Sequence, residues 1–179
     1  MMTAERYAAA PTFPQYLREV KANRDLWHGL FERAALPMDL LEQVRTVEGS
    51  WKLAVLTEDW CGDAVNSLVW VARLAEMMPE VELRVFSRDG NPDLMDAHLT
   101  DGTARSIPVV IAYTDDFREV GWWGPRPTEL QRWVKEEGLK LPVDERYLEV
   151  RRWYARDRGR STVEEILSLL GTPAGAGRR

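Results

Sequence analysis

The strongest constraint on the fold is a gap of five residues, 114–118, between two strand-like stretches, 108–113 and 119–123. A gap of this length allows an antiparallel hairpin but no crossover helix. Earlier in the chain, the strand patterns at 51–57 and 81–86 are each followed by a helical pattern. The sequence therefore predicts an α/β fold: parallel strands joined by crossover helices, ending in a β-hairpin, as a mixed sheet with helices on both faces.

Helical patterns precede the predicted sheet. Apolar residues recur at three- and four-residue steps over residues 14–35, which predicts one amphipathic helix. Pro37 interrupts that pattern, and residues 38–47 predict a second, short helix. We therefore expect residues 1–50 to form a helical N-terminal extension packed on a core of residues 51–138.

A second helical extension follows the core. Residues 144–157 and 163–170 have helical patterns, and Ser161 and Glu164 have capping-box spacing for the later helix. We expect residues 139–179 to form a helical C-terminal extension with a loose tail. The apolar stripes of both extensions must be buried somewhere, so a homodimer is one possible outcome.

Composition narrows the class of protein and its compartment. The chain has 179 residues, 45% of them hydrophobic, and a formal net charge of −5. No apolar run approaches the roughly 20 residues of a membrane span, and the negative charge gives no general attraction for nucleic acid or anionic lipid. We therefore expect neither a membrane nor a nucleic-acid partner. The absence of a signal-peptide pattern and the lone cysteine both favour a reducing, cytoplasmic location.

The single cysteine, Cys61, directly follows a buried strand pattern and begins a helical one. In α/β sheets, sites collect outside the carboxyl ends of the strands. Free N–H groups and the dipole at a helix N-terminus stabilise a thiolate, whereas the carboxylate of Asp63 disfavours one. We expect a modest lowering of the pKa of Cys61. Placement alone leaves a buried structural cysteine equally open.

Two short motifs resemble the hallmarks of thioredoxins. Residues 60–64, Trp-Cys-Gly-Asp-Ala, resemble the Trp-Cys-Gly-Pro-Cys site, and Ile107 with Pro108 stands where the family has isoleucine and a cis-proline. The resemblance spans about residues 51–137 and implies a thioredoxin-like fold with a helical extension at each end. Four segments also resemble a bacterial thioredoxin-like subfamily of poorly defined function: residues 57–63, 99–100, 106–108 and 123–127.

The resemblance assigns roles residue by residue. Cys61 matches the attacking cysteine, and Pro108 matches the proline whose neighbouring backbone contacts a bound partner chain. Arg126 follows the hairpin and could pair with a carboxylate of glutathione or a partner peptide, or could be an ordinary surface arginine. The substrate-binding residues that we expect are Trp60, Gly62, Asp63, Ile107, Pro108 and Arg126.

The departures from the thioredoxin motif limit the activity that can be inferred. Ala64 replaces the resolving cysteine, Asp63 the proline before it, and Val55 the buried acid that assists resolution. The general disulfide-reductase activity of thioredoxins therefore does not transfer. We instead predict thiol–disulfide exchange through a mixed disulfide on Cys61, with protein or glutathione disulfides as partners. Glutathione or another low-molecular-weight thiol would resolve the adduct, and no cofactor is expected.

Three alternatives remain open from the sequence. The fold could serve as a non-catalytic peptide-binding or adaptor module. Cys61 could be oxidised to sulfenic acid and act as a sensor. A shared iron–sulfur cluster, as in monothiol glutaredoxins, is disfavoured because Asp63 would place a carboxylate beside an anionic cluster. Glu58, Asp59 and Asp63 could hold a cation, but solvation and helix-dipole effects explain them better, so we expect no metal.

Overall fold

The computed structural model describes residues 1–171, which form a mixed four-stranded sheet and flanking helices. The strands are β1 Trp51–Thr57, β2 Val81–Ser87, β3 Val109–Thr114 and β4 Glu119–Trp123. The helices are α1 Ala4–Ala9, α2 Phe13–Glu19, α3 Arg24–Arg33, α4 Met38–Val44, α5 Gly62–Glu76, α6 Pro92–Ala97, α7 Thr128–Glu136, α8 Val143–Asp157 and α9 Arg160–Leu170, with a 3-10 helix at Gly138–Lys140.

The sheet has the strand order β2-β1-β3-β4. Strand β1 pairs parallel with β2, and β3 and β4 form the predicted antiparallel hairpin. The predicted α/β mixed sheet with helices on both faces and helical extensions is therefore confirmed.

The prediction that crossover helices join only parallel strands is wrong for β3, which pairs antiparallel with β1. Strand β2 ends level with the carboxyl end of β1, where Ser87 pairs with Thr57. Strand β3 also begins at that end, where Val109 pairs with Leu56, so the connection through α6 never returns along the sheet. As a result, the residues that precede β3 lie beside the residues that follow β1.

The centre of the core is β1, which is buried along almost its whole length. Leu53, Ala54, Val55 and Leu56 have no exposed surface, as expected for a strand covered on both faces. Helix α5 packs its apolar stripe on the sheet. This packing positions the loop that joins the end of β1 to the start of α5.

The N-terminal region differs from the prediction. Residues 14–35 do not form one helix: the chain breaks between α2 and α3, where Asn23 has a left-handed φ of 53°. The cause is distant in sequence, because one carboxylate oxygen of Asp59 accepts hydrogen bonds from the N–H groups of Lys21 and Ala22, both at 2.9 Å. Helix α1 was not predicted, and the second predicted helix ends at Val44.

The N-terminal region also covers the edge of β2. Thr12 forms an isolated antiparallel bridge with Arg84, and the N–H of Val85 donates to the carbonyl oxygen of Pro11 at 2.9 Å. The hydroxyl of Tyr7 donates to the carbonyl oxygen of Glu82 at 2.8 Å. These contacts occupy backbone groups that an open sheet edge would otherwise leave free for association.

At the carboxyl end, the predicted capping box is wrong. The N-cap of α9 is Gly159, and the backbone N–H of Ser161 donates to the carboxylate of Asp157 at 3.2 Å. Helix α8 packs against α7, where Val150 and Tyr154 join Leu130 and Val134 in a small apolar cluster.

The predicted loose tail lies outside the described residues, except for residue 171. Within residues 1–171, no helix is long and apolar enough to cross a membrane.

The turn between α8 and α9 provides a test of how the C-terminal helices pack on α5. Gly159 has φ +77°, and a Cβ there would lie 2.1 Å from ring carbons of Trp70. Gly159→Ala should lower the free energy of unfolding by about 2–4 kcal/mol in urea titrations, through backbone strain and steric overlap together.

The matched control is Gly102→Ala, where φ is +70° but nothing lies within 4 Å of the added Cβ. That variant carries the backbone strain alone and should lose about 1 kcal/mol. Equal losses in the two variants would contradict close packing of the turn on Trp70.

Candidate functional site

Cys61 occupies the N-cap position of α5, directly after the loop that leaves β1. Its backbone is extended, with φ −78° and ψ 115°. The thiol lies 3.4 Å from the carbonyl oxygen of Ile107, to which it donates a hydrogen bond. The Ile107–Pro108 peptide bond is cis. The carboxyl end of β1 and the start of β3 thus bring residues 46 positions apart into contact.

Gly124 allows the hairpin to close against the cis-proline. Its φ is +137°, and a Cβ there would stand 2.1 Å from the carbonyl oxygen of Pro108. The following Gly124–Pro125 bond is also cis. Only glycine fits so close to another backbone, so this position fixes where the loop carrying Arg126 begins.

A groove of about 720 Å³ opens over Cys61. Its volume is within the range of about 300–1,000 Å³ that is typical of small-molecule sites. The thiol-bearing residue is 7% exposed, whereas the neighbouring Trp60 is 52% exposed. Pro108 is buried and does not line the groove itself. The other site residues expected from the sequence all line the groove: Trp60, Cys61, Gly62, Asp63, Ile107 and Arg126.

The expected lowering of the Cys61 pKa is wrong, because the thiol is too deeply buried. Burial raises the pKa of the Cys61 thiol above its ordinary value, and the carboxylate of Asp63 adds to the rise. The N–H groups of Ala64 and Asp63 and the guanidinium of Arg126 act in the opposite direction but do not offset it. Cys61 is therefore mainly a protonated thiol at neutral pH.

The structure corrects one of the two alternatives for Arg126: it is not an ordinary surface arginine, because its side chain is only 20% exposed and pairs with Asp63. Pairing with a carboxylate of glutathione or a partner peptide stays a prediction. The Nη2 group donates to Oδ2 of Asp63 at 2.6 Å, and Nη1 donates to Gln131 at 2.9 Å. Two charges removed from water in this way require mutual pairing.

Tyr154, on α8, completes this ion pair and was not predicted. Its hydroxyl donates to Oδ1 of Asp63 at 3.0 Å, and the hydroxyl of Ser67 donates to the Tyr154 oxygen at 3.5 Å. The C-terminal extension therefore contributes directly to the environment of the cysteine. Tyr154 lies 91 residues from Asp63, and its helical pattern gives no signal that separates it from an ordinary packing residue.

The three acidic residues near the end of β1 point to separate partners. Asp59 accepts from the backbone of the N-terminal region, and Glu58 accepts from the N–H of Asp89 at 3.1 Å. Asp63 is committed to Arg126 and Tyr154. Across residues 1–171, no group of three or more histidine, cysteine, aspartate or glutamate side chains could hold a metal ion.

Several groove residues were missed because they come from separate segments. Leu26 lies on α3 and Tyr147 on α8, and both are nearly half exposed. Arg88 lies with its guanidinium 5.1 Å from the ring centroid of Trp60, in a cation–π contact, and also forms an ion pair with Asp89 at 2.8 Å. No local motif links these positions in the sequence.

Comparisons with known proteins give one family and a recurring fold. A family model described as thioredoxin matches residues 10–140. A solved structure of a protein of unknown function from Pseudomonas aeruginosa superposes with a TM-score of 0.72 at 17% identity, covering 95% of this chain and 98% of the other. An HIV epitope scaffold superposes with a TM-score of 0.74 at 18% identity and the same coverage. No curated protein matches the chain.

Removal of single charges around Cys61 tests the origin of its raised pKa. Asp63→Asn removes a carboxylate that raises the pKa and leaves the Arg126 guanidinium without its counterion, so iodoacetamide should modify Cys61 several-fold faster at pH 7. Arg126→Gln removes an opposing charge and should slow the reaction.

Tyr154→Phe is the charge-neutral control, since it removes the hydroxyl that bonds to Asp63 and Ser67 and leaves both members of the ion pair in place. Alkylation rates should be compared across the pH range on variants that circular dichroism shows to be folded. Slower modification of folded Asp63→Asn than of the unmodified chain would contradict this assignment.

Proposed function

This chain belongs to the thioredoxin family, whose model matches residues 10–140, and from that premise we propose that it carries out thiol–disulfide exchange with a single thiol. Cys61 forms a mixed disulfide with a partner held beside Pro108. An external low-molecular-weight thiol, such as glutathione, then resolves the adduct.

The observation that carries the proposal is the position of the Cys61 sulfur. It lies 3.4 Å from the carbonyl oxygen of Ile107, beside a cis peptide bond, in a groove of about 720 Å³. The loop before β3 also lines that groove through Ser106 and Ile107. A partner in extended conformation could pair with this backbone while presenting a sulfur to Cys61.

The exchange balances with one external thiol for each turnover. The Cys61 thiol loses its proton to solvent, and the thiolate attacks one sulfur of the partner disulfide. A sulfur–sulfur bond to Cys61 forms, the partner's own bond breaks, and the second partner sulfur leaves as a thiolate that takes up a proton. The external thiol then attacks the partner sulfur in the adduct, which releases Cys61 and a new partner–thiol disulfide.

The raised pKa of Cys61 places a condition on this chemistry. At neutral pH only a small fraction of the protein carries the thiolate, so exchange should be slow and should accelerate as the pH rises toward the thiol's pKa. The chain has no second thiol of its own, and a reducing cytoplasm would supply an external one.

Intact mass spectrometry after incubation with oxidised glutathione tests the proposal. One glutathione should add to Cys61, faster at pH 9 than at pH 7 by about tenfold or more because of the thiolate fraction. Reduced glutathione should remove it, and Cys61→Ser should form no adduct.

The glutathione adduct should form on the folded protein, because the groove must admit the disulfide. The absence of an adduct at every pH that leaves the protein folded, with an adduct appearing only after denaturation, would contradict exchange chemistry. Circular dichroism at each pH identifies the folded samples.

A second candidate function is a peptide-binding module without redox chemistry. The observation that favours it is the burial of Cys61, 7% exposed, with its thiol hydrogen-bonded inside the protein. Such a module would bind its partner equally well after Cys61→Ala, whereas exchange requires the sulfur. Capture of a partner through a bond that a reducing agent breaks is expected for thiol–disulfide exchange and not for a binding module, so this measurement separates the two functions.

A further inference from the structure

The groove over Cys61 differs in charge from the rest of the protein. The whole chain has a formal net charge of −5. Four arginines line the groove, with Asp63 as the acidic residue among the lining side chains. They come from four separate segments: Arg88 after β2, Arg105 before β3, Arg126 after β4 and Arg151 on α8.

Two of these arginines have unused hydrogen-bonding capacity. The Nε group of Arg126 is buried and has no hydrogen-bond partner within residues 1–171. The side chain of Arg151 is exposed and makes no hydrogen bond or ion pair with the residues that the structure describes. Guanidinium groups bind carboxylates more specifically than ammonium groups, because their planar N–H donors match the two oxygens.

The other two arginines pair with carboxylates that do not line the groove. Arg105 binds both oxygens of Asp96, at 2.6 and 2.7 Å, and Arg88 binds Asp89. These exposed pairs hold the guanidinium groups in place at small net gain, so each can still attract a further anion on its groove side.

The rim of the groove is aromatic and aliphatic as well as cationic. Trp60 is 52% exposed, Tyr147 48% and Leu26 43%. Exposed side chains of this size in one groove are characteristic of recognition surfaces. A small inorganic anion would use none of them and would leave most of the 720 Å³ filled with water.

We infer that the groove binds an acidic peptide segment of a partner protein, with carboxylate side chains flanking the reactive cysteine and an apolar side chain against Trp60 and Tyr147. This inference rests on the proposed function for the role of Cys61. The arginines select the partner by charge, and the loop before β3 sets the depth at which its sulfur meets Cys61.

Equilibrium binding tests the inference without any redox step. Cys61→Ser protein is titrated against two fluorescent octapeptides with serine at the centre, one flanked by glutamates and the other by lysines, each containing one leucine. The acidic peptide should bind about tenfold more tightly at low ionic strength. The preference for the acidic peptide should shrink in 0.5 M salt, because exposed charges more than about 4–5 Å apart are then largely screened from each other.

Variants identify the source of the preference. Arg105→Ala with Arg151→Ala should abolish most of it, while Arg45→Ala, which changes an exposed arginine at the end of α4 that does not line the groove, should leave it unchanged. Equal binding of the two peptides, or equal losses in the double variant and Arg45→Ala, would overturn the inference.

Octapeptides of the same two sequences, with cysteine in place of the central serine and held as a mixed disulfide with a small uncharged thiol, separate the failure of this inference from the failure of the proposed function. With unmodified protein, the acidic peptide disulfide should form the Cys61 adduct faster than the basic one and faster than oxidised glutathione. If oxidised glutathione formed the adduct as fast as the acidic peptide disulfide, the groove would select a small anionic disulfide and not a peptide segment. That result would overturn the inference. No adduct with any disulfide, but an intact charge preference in binding, would refute exchange and support the acidic-peptide site.

Discussion

The ion pair between Asp63 and Arg126 holds the site together. Both side chains are largely withdrawn from solvent, and such charges are stable only when they are paired and hydrogen-bonded. The pair joins the first turn of α5 to the loop after β4, and the Tyr154 hydroxyl extends it to α8. Three parts of the chain therefore become fixed relative to Cys61, and the C-terminal extension becomes part of the site.

The same pair explains the electrostatic state of the thiol. Asp63 lies close enough to raise the pKa of Cys61, and Arg126 compensates only in part, so burial decides the outcome. A helix N-terminus alone would favour the thiolate. In the proposed exchange, this arrangement keeps Cys61 mainly protonated at neutral pH, which suits a chain with no second cysteine to reverse an unwanted adduct.

Helices before and after the sheet both contribute to the groove. Asp59 accepts two backbone hydrogen bonds at the break between α2 and α3, and Leu26, on α3, lines the groove. Helix α8 contributes Tyr147 and Arg151. The segment from β1 to β4 supplies the sulfur and the cis-proline, whereas α3 and α8 contribute Leu26, Tyr147 and Arg151 to the surface that a partner would meet.

The sequence by itself determined the strands, the hairpin and the position of Cys61 between a buried strand and a helix, because period-two and helical patterns are local properties. It also indicated, through two short motifs, that Cys61 and Pro108 belong to one site. Only the tertiary structure decided the break near Asn23, the pairing of Asp63 with Arg126 and Tyr154, and the direction of the Cys61 pKa. These depend on desolvation and on contacts between residues 37 to 91 positions apart, which no local pattern encodes.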